Sequence, residues 1–387
     1  MQKAKEIAVF TGTRADYGLL STLMRGIADE AGLNLRVIVS GTHLSPEFGS
    51  TVTVIHEDGF CVDAAVEMLV SSDTAVGVAK SFGLGILGYV DALARLQPDY
   101  LIVLGDRYEA LAITQAAFLM KIRVIHLHGG EMTSGALDDS MRHAITKLSV
   151  VHITSNEVHR NRVIQLGENP ETVFNFGAIG LDFIQQSSFL SRADFNKKLR
   201  VDWSGPFFVV TYHPATVGEE DPEETFNSLA AALDSFPEYR IIMTYPNADE
   251  GGQGLISLAK RYSSLQGNRV KLVKSMGSQL YFSALKYATL VIGNSSSGII
   301  EAPSVGLPTV NIGSRQQGRV TAESVVTTGT SSLEIADGIK AGLKLRTKLN
   351  FNCLENPYGD GQTGLKIIEL LKNRDFQFKK IFFDLDN

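Results

Sequence analysis

Carboxylates that follow predicted strands are the side chains in this sequence best suited to acid–base chemistry. Asp106 and Arg107 come just after an apolar run, and Glu131 closes the sequence HGGE after a β-branched run. In a parallel sheet, ligands bind beyond the carboxyl ends of the strands. We therefore expect Asp106, Arg107, His128 and Glu131 to lie together at the carboxyl ends of the strands of one sheet.

A helix predicted from about Leu137 brings further charged groups to the same location. On this helix Asp138 and Arg142 are i,i+4 neighbours, and so are Asp139 and His143. Carboxylates grouped in a cleft raise one another's pKa, which is what a general acid or base requires. The same acids could instead be salt-bridge partners of nearby arginine and lysine side chains. Taken together, the cluster favours catalysis.

His213 lies at the end of an apolar run and is followed by Pro214. A single histidine is more often structural, but a strand end is a position from which it could contact a substrate. We interpret His213 as a phosphate contact or as a proton donor to a leaving group.

Two segments near the end of the second half are suited to binding anions. The sequence NSSSG at 294–298 follows a buried strand and places three hydroxyls and free backbone N–H groups at a predicted helix start. Plain capping by serine is the alternative, but three serines beside a glycine favour phosphate. Arg315 and Arg319 could hold a diphosphate by forked hydrogen bonds or could be surface ion-pair partners, and Arg315 is the better candidate.

The elements that position these residues alternate between strands and helices. A strand at 7–10 ends in the turn GTRADYG, which is compatible with phosphate, and a long helix is predicted at 75–96. Strands separated by helices of ten or more residues indicate right-handed βαβ units and a doubly wound sheet. Further helices are predicted at 47–58 and 360–372.

The alternation is interrupted around 185–205 and then resumes, which indicates a second domain of the same kind. A chain of 387 residues also exceeds what one core usually holds. We therefore predict an α/β protein with two Rossmann-like, doubly wound parallel-sheet domains facing a central cleft. The predicted ranges are 1–187 for the N-terminal domain with the acid–base residues, 188–373 for the C-terminal domain, and 374–387 for a tail that packs back on the N-terminal domain.

Composition excludes several classes of protein. The net charge of −6 gives no broad basic field, which argues against nucleic acid as a partner. Cys61 and Cys353 alone cannot form a disulfide framework or a four-ligand metal site, so we expect a cytoplasmic protein. The first apolar run is too short for a signal peptide or a membrane span, and no membrane partner is expected.

Seven motifs taken together resemble one enzyme family. They are GTRADYG at 12–18, GDRYEALA at 105–112, HGGE at 128–131, DDSMRHAITK at 138–147, TYHP at 211–214, YPNADEG at 245–251 and GNSSSGIIEAPSVGLPTVNIGSRQQGR at 293–319. In this order they resemble the hydrolysing UDP-N-acetylglucosamine 2-epimerases, and within them the bacterial NeuC type that begins sialic acid synthesis. The resemblance implies the GT-B fold, two Rossmann domains around a UDP-sugar cleft, and a homodimer or homotetramer.

The resemblance also implies a reaction: UDP-GlcNAc and water would give UDP and N-acetylmannosamine. Cleavage of the C1–O bond and loss of the C2 proton to a carboxylate would give 2-acetamidoglucal, and water would then add to give the inverted product. Charged and hydroxyl groups would stabilise the departing diphosphate. Neither a metal nor a nicotinamide is implied.

Residue by residue, the resemblance assigns roles to positions in the matching motifs. Asp106, Glu131 and Asp138 become acid–base candidates, and His213 joins them as a catalytic candidate. Some relatives have a glutamate where His128 stands, which leaves open whether Glu131 is the acid or holds the loop. The implied substrate contacts are Arg14, Arg107, Asn247, Ser295, Ser296, Glu301 and Arg315.

Other functions remain open at this point. Relatives that make legionaminic acid use a diacetamido-trideoxy UDP-sugar, the substrate called UDP-N,N'-diacetylbacillosamine, and share almost the same motifs. A non-hydrolysing epimerase would return the UDP-sugar with C2 inverted. A GT-B glycosyltransferase would need an acceptor, and a UDP-sugar-binding regulator would bind without turnover. The acids at the strand ends argue against the last two.

Overall fold

The computed structural model divides the chain into two compact units. The first unit comprises Met1–Gln185 and Tyr358–Asn387, and the second comprises Gln186–Pro357. The structure describes residues 4–70, 72, 74–132, 137–186, 189–214, 221–246, 252–274, 276–349 and 354–385.

The first unit is built on a seven-stranded parallel sheet. Its helices and strands up to residue 186 are β1 (Lys5–Thr11), α1 (Arg14–Asp29), β2 (Leu33–Ser40), α2 (Val52–Glu57), β3 (Ala64–Val66), α3 (Ala75–Leu96), β4 (Tyr100–Leu104), α4 (Tyr108–Leu119), β5 (Arg123–Leu127), α5 (Leu137–Leu148), β6 (Val151–Thr154), α6 (Glu157–Gln165), β7 (Val173–Asn175) and α7 (Leu181–Gln186). The strand order is β3-β2-β1-β4-β5-β6-β7, and all the pairings are parallel. Because the order reverses between β1 and β4, the topological switch point lies at the ends of these two strands.

The second unit repeats this architecture with six parallel strands. Its helices and strands are α8 (Arg192–Leu199), β8 (Phe207–Thr211), α9 (Pro222–Asp234), β9 (Arg240–Thr244), α10 (Gly252–Gln266), β10 (Val270–Val273), α11 (Gly277–Tyr287), β11 (Leu290–Gly293), α12 (Ser297–Ile300), β12 (Thr309–Ile312), β13 (Val325–Thr328) and α13 (Ser332–Lys348). The strand order is β10-β9-β8-β11-β12-β13. Here the switch point lies at the ends of β8 and β11, the strands that precede His213 and the NSSSG segment.

The C-terminal helix α14 (Thr363–Asn373) belongs to the first unit, although the sequence analysis placed residues 360–372 in the second domain. Its buried face, including Ile367 and Leu371, joins the core formed by α1 and the first sheet. Asp182, which is fully buried, accepts hydrogen bonds from the backbone N–H groups of Thr363 and Gly364 at the helix start. The unit boundary at 185/186 is two residues before the predicted one.

The helix predicted at 47–58 is wrong in its first half. The structure has a 3-10 turn at Pro46–Phe48 and then α2, and Gly49 between them has a φ of 88°. This left-handed conformation ends the first turn, because an α-helix requires negative φ.

Helix α3 runs unbroken from Ala75 to Leu96 in spite of its glycines. A Cβ on Gly88 would lie 2.5 Å from a side-chain carbon of Val66, so this glycine lets α3 approach β3 closely. By length and composition alone, this helix could cross a bilayer, with a mean hydropathy of 1.3 over its most apolar window. It buries Tyr89 and Leu93 in the first unit and packs on α4, while a third of that window is buried.

Candidate functional site

Arg142, in the middle of α5, links the end of β4 to the loop after β5. One terminal nitrogen of its guanidinium donates to the Asp106 carboxylate, and the other donates to Asp139 Oδ1 at 2.8 Å and to the backbone oxygen of Glu131 at 2.7 Å. The arginine is almost fully buried, with 3% of its surface exposed. One planar cation therefore holds three of the predicted site's segments in a fixed arrangement.

The carboxylate of Glu131 is oriented by two donors. His128 Nδ1 lies 3.0 Å from Glu131 Oε1, and Ser155 Oγ donates to the same oxygen at 2.8 Å. The backbone N–H of Ile179 donates to His128 Nε2 at 3.2 Å, so the proton of a neutral His128 ring lies on Nδ1, facing Glu131. His128 has a φ of 65° and Gly130 one of 80°, and these two left-handed residues turn the chain so that Glu131 points inward.

Asp138 lies in the first turn of α5, close enough to Asp106 for their charges to interact. Partial burial raises the pKa of Asp138, and the charge of Asp106 raises it further, while Arg107 and Arg142 oppose this change. A carboxyl of this kind holds its proton to higher pH than an isolated aspartate, as a group that exchanges protons must. Asp139, its neighbour, lies 3.6 Å from His143 Nε2, at the predicted i,i+4 spacing.

A second charged group lies at the switch point itself. Arg107 forms a fork with the buried carboxylate of Glu109, with distances of 3.2 and 3.0 Å. Burial raises the pKa of nearby Asp16 to about 6, and the charge of Glu109 adds to this, whereas Arg107 lowers it. Arg14 occupies the exposed first position of α1, directly after the cap residue Thr13.

In the second unit, Asn294 fixes the backbone of His213. The His213 N–H donates to Asn294 Oδ1 at 2.7 Å, and Asn294 Nδ2 donates back to the His213 carbonyl at 2.9 Å. Burial lowers the pKa of His213 to about 4, and the positive charge of Arg315 lowers it further. At neutral pH the ring is therefore uncharged, and it can offer a hydrogen bond but no positive charge.

The serine segment of the second unit begins a single helical turn. Helix α12 has four residues and ends at Ile300, and a 3-10 turn that contains Pro303 follows, so the predicted helix start is present but the helix is short. Ser295 Oγ accepts a bond of 3.4 Å from the Ser297 N–H, and Tyr281 donates to Ser297 Oγ at 2.7 Å. Ser296 is the cap residue. The segment thus retains a cluster of hydroxyls without the dipole of a long helix.

Arg315 points toward the same strand end. Its Nη1 donates to the backbone oxygen of Asn294 at 3.0 Å, and Gln316 Nε2 donates to that oxygen at 2.8 Å. Gly293, just before Asn294, has a φ of 135°, and a Cβ there would lie 1.9 Å from the carbonyl oxygen of Thr211. Only glycine allows β11 to end this close to β8.

The structure groups the predicted residues within each unit. Asp106, Arg107 and Glu131 follow strands of the first unit, where Arg14 starts α1 and Asp138 lies in the first turn of α5. His213, Ser295, Ser296 and Arg315 follow strands of the second unit, and Glu301 follows α12. Asn247 lies outside the described residues. In the described part of the chain, no group of three or more histidine, cysteine, aspartate or glutamate residues could hold a metal ion.

Several residues of the site were not among those predicted. They are Asp16, Glu109, Ser155 and Asn294, whereas Arg142 was recognised as part of the charged cluster without a role of its own. Asp16, Glu109 and Asn294 could have been found from the sequence, because they lie in the same motifs as residues that were chosen. Ser155 lies 24 residues from Glu131 and carried no such signal.

Two parallel sheets of this order, with charged and hydroxyl groups at both switch points, define a ligand-binding α/β protein of the doubly wound class. The chain belongs more specifically to the family described as UDP-N-acetylglucosamine 2-epimerase, whose profile matches residues 25–372. It is therefore an enzyme of that family, as the motifs of the sequence predicted.

Curated relatives cover most of the chain. The GDP/UDP-N,N'-diacetylbacillosamine 2-epimerase (hydrolyzing) of Campylobacter jejuni is 37% identical over 86% of both proteins. The UDP-N,N'-diacetylbacillosamine 2-epimerase (hydrolyzing) of Legionella pneumophila is 34% identical over 95% of this chain and 96% of its own. The polysialic acid biosynthesis protein P7 of Escherichia coli is 31% identical over 98% of both proteins.

Solved structures share the fold. The UDP-GlcNAc 2-epimerase of Neisseria meningitidis, solved with UDP-GlcNAc bound, superposes with a TM-score of 0.73 at 18% identity and covers 95% of this chain and 100% of its own. The prediction of a GT-B-like fold with two parallel-sheet α/β domains is thereby confirmed.

Proposed function

We propose that this enzyme releases UDP from a UDP-2-acetamido-2-deoxyhexose by hydrolysis and inverts the configuration at C2. The observation that carries the proposal is the arrangement at the ends of β4 and β5, where Arg142 holds Asp106 and the Glu131 backbone beside Asp138. The names of the hydrolysing relatives from Campylobacter jejuni and Legionella pneumophila support the same reaction.

The chemistry follows from the position of the C2 proton. No carbonyl is adjacent to acidify this proton, so cleavage of the C1–O bond comes first or early, and its electron pair leaves with UDP. A carboxylate takes the C2 proton, the C1–C2 double bond forms, and 2-acetamidoglucal results. Water then adds its oxygen to C1 while a proton returns to C2 on the opposite face, which gives the inverted free sugar.

Each acid of the first unit is suited to a different step of this reaction. Asp138 carries the raised pKa and exchanges the proton on one face of C2, while Asp106 or Glu131 serves the opposite face. Asp106 and Glu131 place negative charge beside the oxocarbenium-like centre and stabilise it. His128 and Ser155 keep the Glu131 carboxylate aimed during both steps.

The strand ends of the second unit are suited to the leaving diphosphate. Ser295, Ser296 and Arg315 supply hydroxyl and guanidinium donors, and the neutral ring of His213 supplies one more. In the same proposal, Arg14, Arg107, Asn247 and Glu301 are further substrate contacts.

Two substrates fit this reaction. UDP-GlcNAc would give N-acetylmannosamine, the first step toward sialic acid, and the name of the Escherichia coli relative supports that pathway. UDP-N,N'-diacetylbacillosamine is the alternative, supported by the two relatives with the higher identities. A non-hydrolysing reaction would instead return UDP to the glycal.

We also propose a homodimer or homotetramer. Leu84 and Leu87 on α3 are 47% and 68% exposed, and apolar side chains grouped on one helix commonly mark a contact with another protein. Light scattering at several protein concentrations tests this assignment, and a monomer throughout would contradict it.

The reaction is tested by incubating the enzyme with each UDP-sugar and following UDP by phosphorus NMR and the sugar by proton NMR. We expect free UDP and a C2-inverted free sugar. Asp106→Asn should lower turnover roughly 10²-fold or more and leave UDP affinity unchanged, because it removes a charge used in the transition state. Asp337→Asn, on the surface of α13, is the matched control and should retain full turnover. An inverted sugar still attached to UDP would contradict hydrolysis, and full turnover of Asp106→Asn would remove this residue from the mechanism.

A further inference from the structure

The first unit contains a cavity that none of the assigned residues accounts for. It has a volume of about 880 Å³, within the range of small-molecule sites. Its walls are the turn after β2, the segment after β3, the first turns of α3, and Tyr108 at the start of α4. The lining residues that decide its chemistry are Glu47, Glu67, Leu69, Val70, Val78 and Tyr108.

The charged side chains of the cavity wall are all negative, which is unusual for a nucleotide-binding site. Glu47 and Glu67 are present, but no lysine, arginine or histidine is among the described residues of the wall. Phosphate groups are bound by arginine, lysine or grouped N–H donors, so two carboxylates without a cation disfavour a second nucleotide. Apolar side chains, among them Leu69 and Val78, supply the rest of the surface. The occupant that suits this wall is neutral, partly apolar, and able to donate hydrogen bonds.

The cavity adjoins the acid–base cluster. Tyr108 follows Asp106 by two residues, so their Cα atoms are at most about 7.6 Å apart. On the other side, Gly41 has a φ of 58°, and a Cβ there would lie 3.3 Å from Glu109 Oε1, in the fork that Glu109 makes with Arg107. The cavity therefore lies within reach of a sugar whose C2 is at Asp106.

We propose that the cavity receives the C4 and C6 substituents of the sugar and selects a 2,4-diacetamido-2,4,6-trideoxyhexose over a sugar with hydroxyls at C4 and C6. This inference rests on the proposed hydrolytic epimerisation. An acetamido group at C4 presents an N–H to the carboxylates and a methyl to the apolar wall, and a C6 methyl fits the same apolar surface. A sugar with hydroxyls at both positions could still donate to the carboxylates, but it would lose the contacts that the methyl groups would make with Leu69, Val70 and Val78.

The test compares UDP release from UDP-N,N'-diacetylbacillosamine and from UDP-GlcNAc, measured as kcat/KM. The wild-type enzyme should prefer the diacetamido sugar roughly tenfold or more, the range that one or two apolar contacts provide. Val78→Trp, which fills the cavity from an exposed helix position, should lower kcat/KM for the diacetamido sugar about tenfold and that for UDP-GlcNAc much less. Val76→Trp changes the same residue type on the same helix outside the cavity and should leave both values unchanged.

Val78→Ala is a second variant that cannot overpack, and it should shift the preference in the same direction as Val78→Trp. Equal kcat/KM for both sugars in the wild type, a preference for UDP-GlcNAc, or equal losses for both sugars in the Val78 variants would overturn the inference while the proposed reaction stands. If neither sugar released UDP, the proposed function itself would fail, which is a separate and recognisable result.

Discussion

At the scale of single residues, Arg142 contributes most to the geometry of the candidate site. Its guanidinium joins Asp106, 36 residues away in the chain, to Asp139 on the same helix and to the Glu131 backbone. The i,i+4 rule identified a helix face with acids and bases on it, but it cannot identify a partner 36 residues away. The choice of Asp106 and Glu131 from strand ends was possible because parallel topology fixes where those ends lie.

Replacing Arg142 by lysine tests this arrangement. A lysine retains the charge but cannot span three acceptors with a planar fork, so we expect kcat to fall roughly 10²-fold while the affinity for UDP stays the same. Steady-state kinetics and UDP titration measure the two quantities. Arg160→Lys is the control, because Arg160 binds the Val173 carbonyl and Glu157 on α6. A kcat of the wild-type value in Arg142→Lys would show that the fork is dispensable.

At the scale of elements, the strands with continuous apolar runs could be predicted, but the two edge strands of the second sheet could not. β4, β5 and β11 coincide with the apolar runs recognised before Asp106, His128 and Asn294, because nearly all of their residues are buried. β10 and β13, which went unpredicted, lie at one edge each of the second sheet and are only partly buried. Their polar residues conceal the strand pattern.

The buried histidine of β5 makes the first unit sensitive to acid. His126 has no exposed surface, its Nε2 donates to the Gly105 carbonyl at 2.7 Å, and burial lowers its pKa to about 3. In the unfolded chain it titrates near 6.5, so between pH 6.5 and 3 the unfolded state binds more protons. The stability present above pH 6.5 is therefore lost as the pH falls.

From pH 7 to pH 5, His126 should account for a loss of about 2 kcal/mol in the free energy of unfolding of the first unit. Amide hydrogen exchange in β5 at the two pH values measures this loss. In His126→Gln the difference between the two pH values should be smaller by about that amount, whereas exposed His56→Gln should keep the wild-type difference. An unchanged pH dependence in His126→Gln would contradict the assignment.

At the scale of the whole molecule, the chain leaves the first unit at residue 185 and returns to it at residue 358. The tail after α14 is held by Lys380, whose ammonium donates to the carbonyls of Thr146, Lys147 and Ser149 at the end of α5. The same ammonium lies 2.6 Å from the buried carboxylate of Glu168. No local pattern in the sequence predicts contacts between residues more than 200 positions apart. The sequence did predict a tail that packs back on the N-terminal domain, but not the residues that it contacts.

Lys380→Ala should destabilise the first unit by roughly 1–3 kcal/mol, because it removes one partner from a buried carboxylate. The cost stays below that of a fully isolated charge, since Lys147 and His152 still contact Glu168 at 2.7 and 3.0 Å. Hydrogen exchange in the last turn of α5 measures the effect. Exposed Lys379→Ala is the neighbouring control, and equal protection in the two variants would contradict the role of Lys380.

Proton exchange at C2 during hydrolysis is the property of the whole enzyme that distinguishes elimination through a glycal from simple hydrolysis. The purified protein would be incubated with UDP-N,N'-diacetylbacillosamine and, separately, UDP-GlcNAc in D₂O, and followed by proton and phosphorus NMR. We expect free UDP together with a C2-inverted free sugar that carries deuterium at C2. Free UDP with the original proton retained at C2, or an inverted sugar still bound to UDP, would contradict this expectation.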